Sequence, residues 1–159
     1  EFRRVLFRSR HWETLLRNEF DACRRSHRQA TILLIDIDHF KTINDTWGHD
    51  VGDEAIVAIT RQLQLTLRSG DYIGRFGGDE FAVIMSGTPA DSAIAAMSRV
   101  HERLVNMPLH GAPTARLCIS VGVAPWGAQF THYREWLKAA DVALYKAKNA
   151  GRGRTEVAA

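Results

Sequence analysis

Hydrophobic and polar positions alternate along the chain with periods that change sharply at a few points. From Arg10 to about Arg28, Trp12, Leu15, Leu16, Phe20 and Cys23 recur at helical spacing while arginines and acids fill the other face. This predicts an amphipathic entry helix. TILLIDID, residues 31–38, is instead a continuous apolar run that ends in alternating acids, the pattern of a central strand buried on both faces. HFKTINDTWGH is short and mixed and predicts a helical turn and loop. Asp50 or Asp53 then caps a helix that runs through Ser69 with Ile56, Ile59, Leu63 and Leu67 inward. A hairpin over 71–86 follows. Pro89 opens a helix to about Asn106, with Ile94, Met97, Val100 and Leu104 inward. TARLCISVGVA, residues 114–124, alternates as a strand, and a last helix from about Tyr133 to Asn149 stops before Gly151 and Gly153. Strands and helices interleave without a repeat, which predicts an α/β sandwich with a mixed sheet covered by helices.

Composition narrows this picture. The 159 residues are 45% hydrophobic, enough for one domain with a real core. The formal charge of +3 comes from Arg3, Arg4, Arg8 and Arg10 less Glu1, so residues 11–159 are neutral. A nucleic-acid polymer is therefore not an expected partner. Cys23 and Cys118 are too few for a disulfide framework and lack metal-ligand spacing, as in a reduced cytosolic domain. No apolar run is long enough to span a membrane, and EFRRVLFRSR lacks the apolar core and cleavage site of a signal peptide.

The candidate chemistry lies in acids at strand ends. Asp36 follows four apolar residues, Ile32 to Ile35, so its carboxylate sits at the rim of a dry core and needs a partner. RFGGDEFAVI, residues 75–84, puts Gly77, Gly78, Asp79 and Glu80 at the tip of the hairpin. If the hairpin strand pairs beside 31–38, Asp79 approaches Asp36. Two carboxylates about 4 Å apart repel by roughly 4 kcal/mol at an effective dielectric near 20, and a divalent cation turns that repulsion into attraction. Oxygen ligands with room for water and phosphate suit Mg²⁺ or Mn²⁺. Glycine at 77 and 78 permits positive φ and close approach of backbone to a ligand. Taken alone, the same four residues read equally well as a surface turn with solvated acids. A calcium loop starting at Asp36 is excluded, because Phe40 occupies a ligand position and the required glycine is absent.

RFGGDEF resembles the signature of the GGDEF-domain diguanylate cyclases. DIDHFKTINDTWGHDVGDEAI (36–56), SVGVA (120–124) and ADVALYKAKNAGRGR (140–154) resemble further parts of that family in the same order. The resemblance spans residues 10–154. It implies an α+β, palm-like nucleotide-cyclase fold with a central mixed, mainly antiparallel five-stranded sheet, a β-α-β-β-α-β type core covered by helices. The implied reaction joins two GTP molecules into cyclic di-GMP and releases two pyrophosphates. By position, Asp36, Asp79 and the main-chain carbonyl of Ile37 hold Mg²⁺, with Glu80 beside them as a second-ion ligand. Asp79 and Glu80 are the implied catalytic acids, although a metal-bound carboxylate is a poor free base.

Asn44 and Asp53 match the family's guanine-reading pair. Guanine's adjacent N1 and N2 donors suit a carboxylate, whereas adenine has no such pair. Their structural alternatives are a capped turn at Asn44 and a capped helix at Asp53. Lys148 and Arg152 match the basic pair on the triphosphate, or else form a solvated C-terminal turn. The amides of His39 and Phe40 contact phosphate, with Lys41 joining them, and Gly77 and Gly78 line the substrate. Arg68 and Asp71 resemble an RxxD inhibitory site for cyclic di-GMP, with Arg99 in support; alternatively, Arg68 ends a helix and Asp71 begins a turn. Each domain binds one GTP, so catalysis requires a homodimer.

The chain departs from the family at its start. Where the family carries D-x-L-T-x-L-x-N-R-R, this sequence reads EFRRVLFRSRHWE, and LFRS is also what a common sequencing-adapter stretch encodes. Residues 1–9 are therefore set apart as atypical and a candidate for non-native sequence, with 10–159 as the catalytic domain. The expected location is the cytoplasm, with no membrane contact by this domain, whether or not its parent is anchored. The competing function is a catalytically weak module that binds GTP or cyclic di-GMP and signals by contact. A cyclase with a monomeric product and a polymerase-like palm share the metal logic, but the resemblance at Asn44, Asp53 and the RxxD site separates this chain from both.

Overall fold

A computed structural model describes residues 9–159. The segment 1–9 set apart above lies, except for Ser9, outside the described residues. In chain order the elements are α1 (Ser9–Ser26), β1 (Ala30–Ile37), α2 (Phe40–Trp47), α3 (His49–Thr66), β2 (Tyr72–Arg75), β3 (Glu80–Ser86), α4 (Ala90–Val105), β4 (Ile119–Pro125), α5 (Tyr133–Asn149) and β5 (Thr155–Val157). The sheet order is β2-β3-β1-β4-β5. Every pairing is antiparallel except β4 with β5, so the five-stranded mixed, mainly antiparallel sheet is as expected.

The continuous apolar run of β1 has a direct cause. β1 is the middle strand, so both faces of its side chains must be covered. Leu33, Ile35 and Ile37 enter one core with Ile59 and Leu63 of α3 and Met97 and Val100 of α4. Ile32 enters the other, with Trp12, Leu16 and Phe20 of α1 and Trp136 and Ala140 of α5. Each such side chain contributes about 1.5–3 kcal/mol of transfer free energy. Trp136 is wholly buried and its indole Nε1 donates to the Ala124 carbonyl at 2.9 Å, which satisfies its only polar atom.

Several boundaries differ from expectation, among them the end of α3, which stops at Thr66 rather than Ser69. α3 starts at His49 behind Gly48, with no side-chain cap, so neither Asp50 nor Asp53 is the cap. Asp53 lies inside the helix, one turn beyond Asp50. The expected loop before it is largely a helix, α2. The strand predicted from 114 begins only at Ile119. β5 was not located by pattern, because three residues of mixed polarity behind two glycines carry no period.

α5 lies unusually close to β4. A Cβ placed on Gly122 would sit 2.2 Å from the Ala140 carbonyl oxygen and 2.3 Å from the Leu144 nitrogen. Main chain cannot yield there as a side chain can, and this contact sets the height of α5 over the sheet. Gly122→Ala is expected to destabilise the domain by about 3 kcal/mol in urea unfolding. Gly87→Ala, with φ 65° and open space around it, should cost only about 1 kcal/mol. Equal costs at the two positions would contradict the close contact.

Candidate active site

The end of β1 and the tip of the β2–β3 hairpin meet. In the β1–β3 ladder Asp36 stands opposite Glu80, and beyond it Ile37 N–H donates to the Asp79 carbonyl at 3.0 Å. The main chain thus carries Asp79 to the rim where Asp36 sits. The tip is held by Arg75, whose Nε and Nη2 donate to the carbonyls of Gly77 and Gly78, each at 3.0 Å. Gly77 and Gly78 themselves are not among the positive-φ residues. A Cβ on either would meet only ordinary contacts, 3.7 Å to Glu80 and 3.6 Å to Phe40. The left-handed turn expected there is absent, because four residues bridge β2 and β3 without it; what remains of the glycine argument is close approach by a ligand.

Asp36 is buried, and no N–H or O–H donor reaches its Oδ1 while both carboxyls are ionised. Its Oδ2 takes the ammonium of Lys148. Burial first, then the charge of Asp36 and the hydrogen bond a protonated Asp79 donates to it, push the Asp79 carboxyl above its ordinary range; Glu80 adds to the shift. Like charges are therefore brought together, with one buried oxygen lacking a partner. That donor set fits a hard divalent cation, which takes oxygen ligands and relieves the repulsion. Among the described residues no three His, Cys, Asp or Glu side chains are grouped to hold an ion. Any cation here would thus rest on two carboxylates, a main-chain oxygen such as that of Ile37, and oxygens from a ligand. Glu80 is exposed and lines a groove of about 390 Å³ beside α5 with Phe76, Lys138 and Asp141.

The other predicted residues fall into three places. The first is the start of α2, next to the acids. His39 is left-handed at φ 55° and precedes α2 without a side-chain cap, so the first amides of α2, beginning at Phe40 and Lys41, have no helical acceptor and present positive partial charge. The second is the α2–α3 junction. Asn44 Oδ1 is buried without a partner, and a Cβ on Gly52 would lie 1.8 Å from it. Gly52 makes the space for this amide, and exposed Asp53 is the next residue. The third is the exit of α5. Lys148 lies in the last turn, while Arg152, at φ 63°, lies beyond the helix with its Nη1 4.0 Å from Asp38 Oδ1.

Arg68 and Asp71 are joined through their turn. Arg68 N–H donates to Asp71 Oδ2 at 2.8 Å, and Asp71 N–H to the Arg68 carbonyl at 3.1 Å. Arg68 thus lies beyond the helix end at Thr66 and Asp71 closes the turn rather than beginning it, and the Arg68 side chain remains exposed. Arg99 is exposed on α4, one turn before Arg103, whose Nη1 donates to Thr66 at the end of α3.

Sequence reasoning missed two residues. Arg75 was not singled out, although a basic residue immediately before FGGDE was a usable signal. Asp38 was passed over as part of an acidic run. It is buried at 4% exposure and accepts Ser120 Oγ at 2.6 Å and Gly153 N–H at 2.7 Å.

Comparison with known proteins agrees with this geometry. The profile of the family described as "Diguanylate cyclase, GGDEF domain" matches residues 6–154, and the chain belongs to that family. It is 73% identical over 154 residues to the probable diguanylate cyclase DgcC of Escherichia coli K12, covering 97% of this chain and 42% of DgcC. The chain thus spans less than half the length of that curated relative. The active GGEEF domain of a Vibrio cholerae diguanylate cyclase superposes with a TM-score of 0.91 at 28% identity, covering 98% and 99% of the two chains. A microbial GGDEF domain described by its interaction with cyclic di-GMP superposes with a TM-score of 0.83 at 28% identity, covering 97% and 92%. The palm-like fold of these cyclase domains is the fold of this chain.

The raised carboxyl gives a test of the like-charge contact. A carboxyl whose folded pKa is raised stabilises the fold when protonated, and that contribution is lost as pH rises through the folded value. In metal-free buffer at pH 7, Asp79→Asn is expected to be more stable than the parent by about 1 kcal/mol in urea unfolding. The difference should shrink on acidification toward pH 4. A difference absent at pH 7, or growing as pH falls, would contradict the contact.

Proposed function

We propose that this chain is a diguanylate cyclase domain that condenses two GTP into cyclic di-GMP and two pyrophosphates. The observation that carries the proposal is the meeting of Asp36 and Asp79 beside Lys148, with a buried oxygen left unpartnered, in a chain of the GGDEF family. Asp36, Asp79 and the Ile37 carbonyl would hold Mg²⁺ or Mn²⁺, with Glu80 on the groove side. Such an ion, when bound, would supply Lewis-acid chemistry, lowering the pKa of an attacking hydroxyl and offsetting charge on a leaving pyrophosphate.

The chain's own residues bind and orient the substrate. Asp53 accepts the paired N1 and N2 donors of guanine, and the Asn44 amide, set in the space left by Gly52, reads a further edge of the base. The amides of His39 and Phe40 at the start of α2, with Lys41, receive phosphate oxygens. Lys148 and Arg152, which face Asp36 and Asp38, reach the triphosphate through charge-assisted contacts. Gly77 and Gly78 let the hairpin tip lie against the nucleotide. Each copy holds one GTP, so two copies face each other for the 3′-hydroxyl of one to reach the α-phosphorus of the other. The unpaired Cys23 and Cys118 and the proposed GTP substrate support a cytoplasmic reading for the domain. Among the described residues no helix is long and apolar enough to cross a membrane.

Incubation of the full chain with GTP and Mg²⁺ should yield cyclic di-GMP and pyrophosphate. Asp79→Ala should lower the rate at least about 100-fold. Product formation that survives the substitution would remove the assignment. We further propose that cyclic di-GMP binds at Arg68, Asp71 and Arg99 and inhibits without competing with GTP. Arg68→Ala combined with Asp71→Asn, which keeps an oxygen for the turn, should relieve that inhibition in steady-state assays; full inhibition in the double variant would refute the site.

A further inference from the structure

The turn after α5 is an expensive conformation that ends at one buried carboxylate. Gly151, Arg152 and Gly153 have φ of 115°, 63° and 57°. Two of these are glycines, but Arg152 has a Cβ, which crowds the backbone in the left-handed region. Something must hold it. Arg152 N–H returns to the Ala147 carbonyl at 3.0 Å, which closes the helix end. The next residue, Gly153, donates its N–H to Asp38 Oδ2 at 2.7 Å.

Asp38 ties three elements together. It leaves β1 two residues after Asp36, and its own N–H donates to the Cys118 carbonyl at 2.9 Å. Ser120 of β4 donates to its Oδ1, and Gly153 to its Oδ2. The guanidinium of Arg152 faces the same Oδ1 at 4.0 Å. The carboxylate therefore fixes the turn through Gly153 and attracts the arginine side chain toward the end of β1, where Asp36 holds Lys148.

We propose that Asp38 is a positioning residue for the triphosphate clamp: it locks the left-handed turn so that Arg152 converges with Lys148 on the phosphates of GTP. The inference rests on the reading of Lys148 and Arg152 given above. Asp38 does not touch substrate, and its effect passes through Arg152. β5 has anchors of its own, the ladder to β4, Ala158 N–H on the Val123 carbonyl at 2.8 Å, and His101 Nε2 against Thr155 Oγ1 at 2.9 Å. Loss of Asp38 thus loosens the turn without freeing the strand.

The test is calorimetric binding of the α,β-methylene analogue of GTP, which cannot release pyrophosphate, alongside GMP, with Mg²⁺ present. Asp38→Ala should weaken the analogue at least tenfold and GMP less than threefold, as Arg152→Ala should. Asp38→Asn keeps an oxygen for Gly153 and an amide for Ser120 and should recover most of the analogue affinity. Ser120→Ala gives a milder variant of the same kind should Asp38→Ala fold poorly. Equal weakening of both ligands by Asp38→Ala, or by Ser120→Ala in its place, overturns the positioning role in favour of a general structural one. If Arg152→Ala weakens the analogue and neither variant does, the positioning role alone is overturned. If Arg152→Ala itself leaves the analogue unaffected, the triphosphate reading fails and the inference falls with it.

Discussion

The antiparallel pairing of β1 with β3 forces like charges into contact, and the arrangement of the site follows from it. Backbone hydrogen bonds put Asp36 opposite Glu80 and join Ile37 to Asp79, so the main chain keeps the acids side by side. The apolar cores on both faces of β1 supply the driving force for that pairing. Like charges are thus held at a dry rim by a sheet that has other reasons to exist. A site of this kind stores repulsion in the apoprotein and returns it as affinity for a cation.

The cations around this rim answer the same charge. Lys148 sits on Asp36 and Arg152 faces Asp38, both delivered by α5 and the turn beyond it. The height of α5 is set by the close contact at Gly122, and its exit by three consecutive positive-φ residues. Helix packing, far from any chemistry, therefore decides where the basic pair ends. The open end of α2 lies beside the acids because only two residues separate β1 from α2. Acids, cations and free amides are gathered within one strand end and its immediate connections, which is the arrangement that the proposed function requires.

Much of this was legible in the sequence because burial writes a period. Trp12, Leu16, Phe20 and Cys23 marked α1, the unbroken run of β1 marked a central strand, and Ile59 and Leu63 marked the inner face of α3. Features governed by local geometry were less visible. Three residues of β5 are too few to show alternation, and the cap expected from Asp50 or Asp53 was replaced by a start at Gly48. The glycines of the hairpin tip permit left-handed φ but do not take it, whereas the non-glycine residues His27, His39 and Arg152 do. Asp38 was hidden for another reason: its partners come from residues 82 and 115 positions away, a distance no local pattern encodes. The strand-end acids singled out Asp36 and Asp79, and the resemblance to GGDEF domains singled out Asn44 and Asp53, but the space at Gly52 and the clamp of Arg75 became apparent only in three dimensions.

Metal placement tests the central claim most directly. Crystals of this chain grown with Mn²⁺ and the α,β-methylene analogue of GTP can be measured at the manganese absorption edge. The expected anomalous peak lies within about 2.5 Å of one carboxylate oxygen from Asp36 and one from Asp79. A peak bound to other residues, or a nucleotide bound with its metal away from both aspartates, would contradict it.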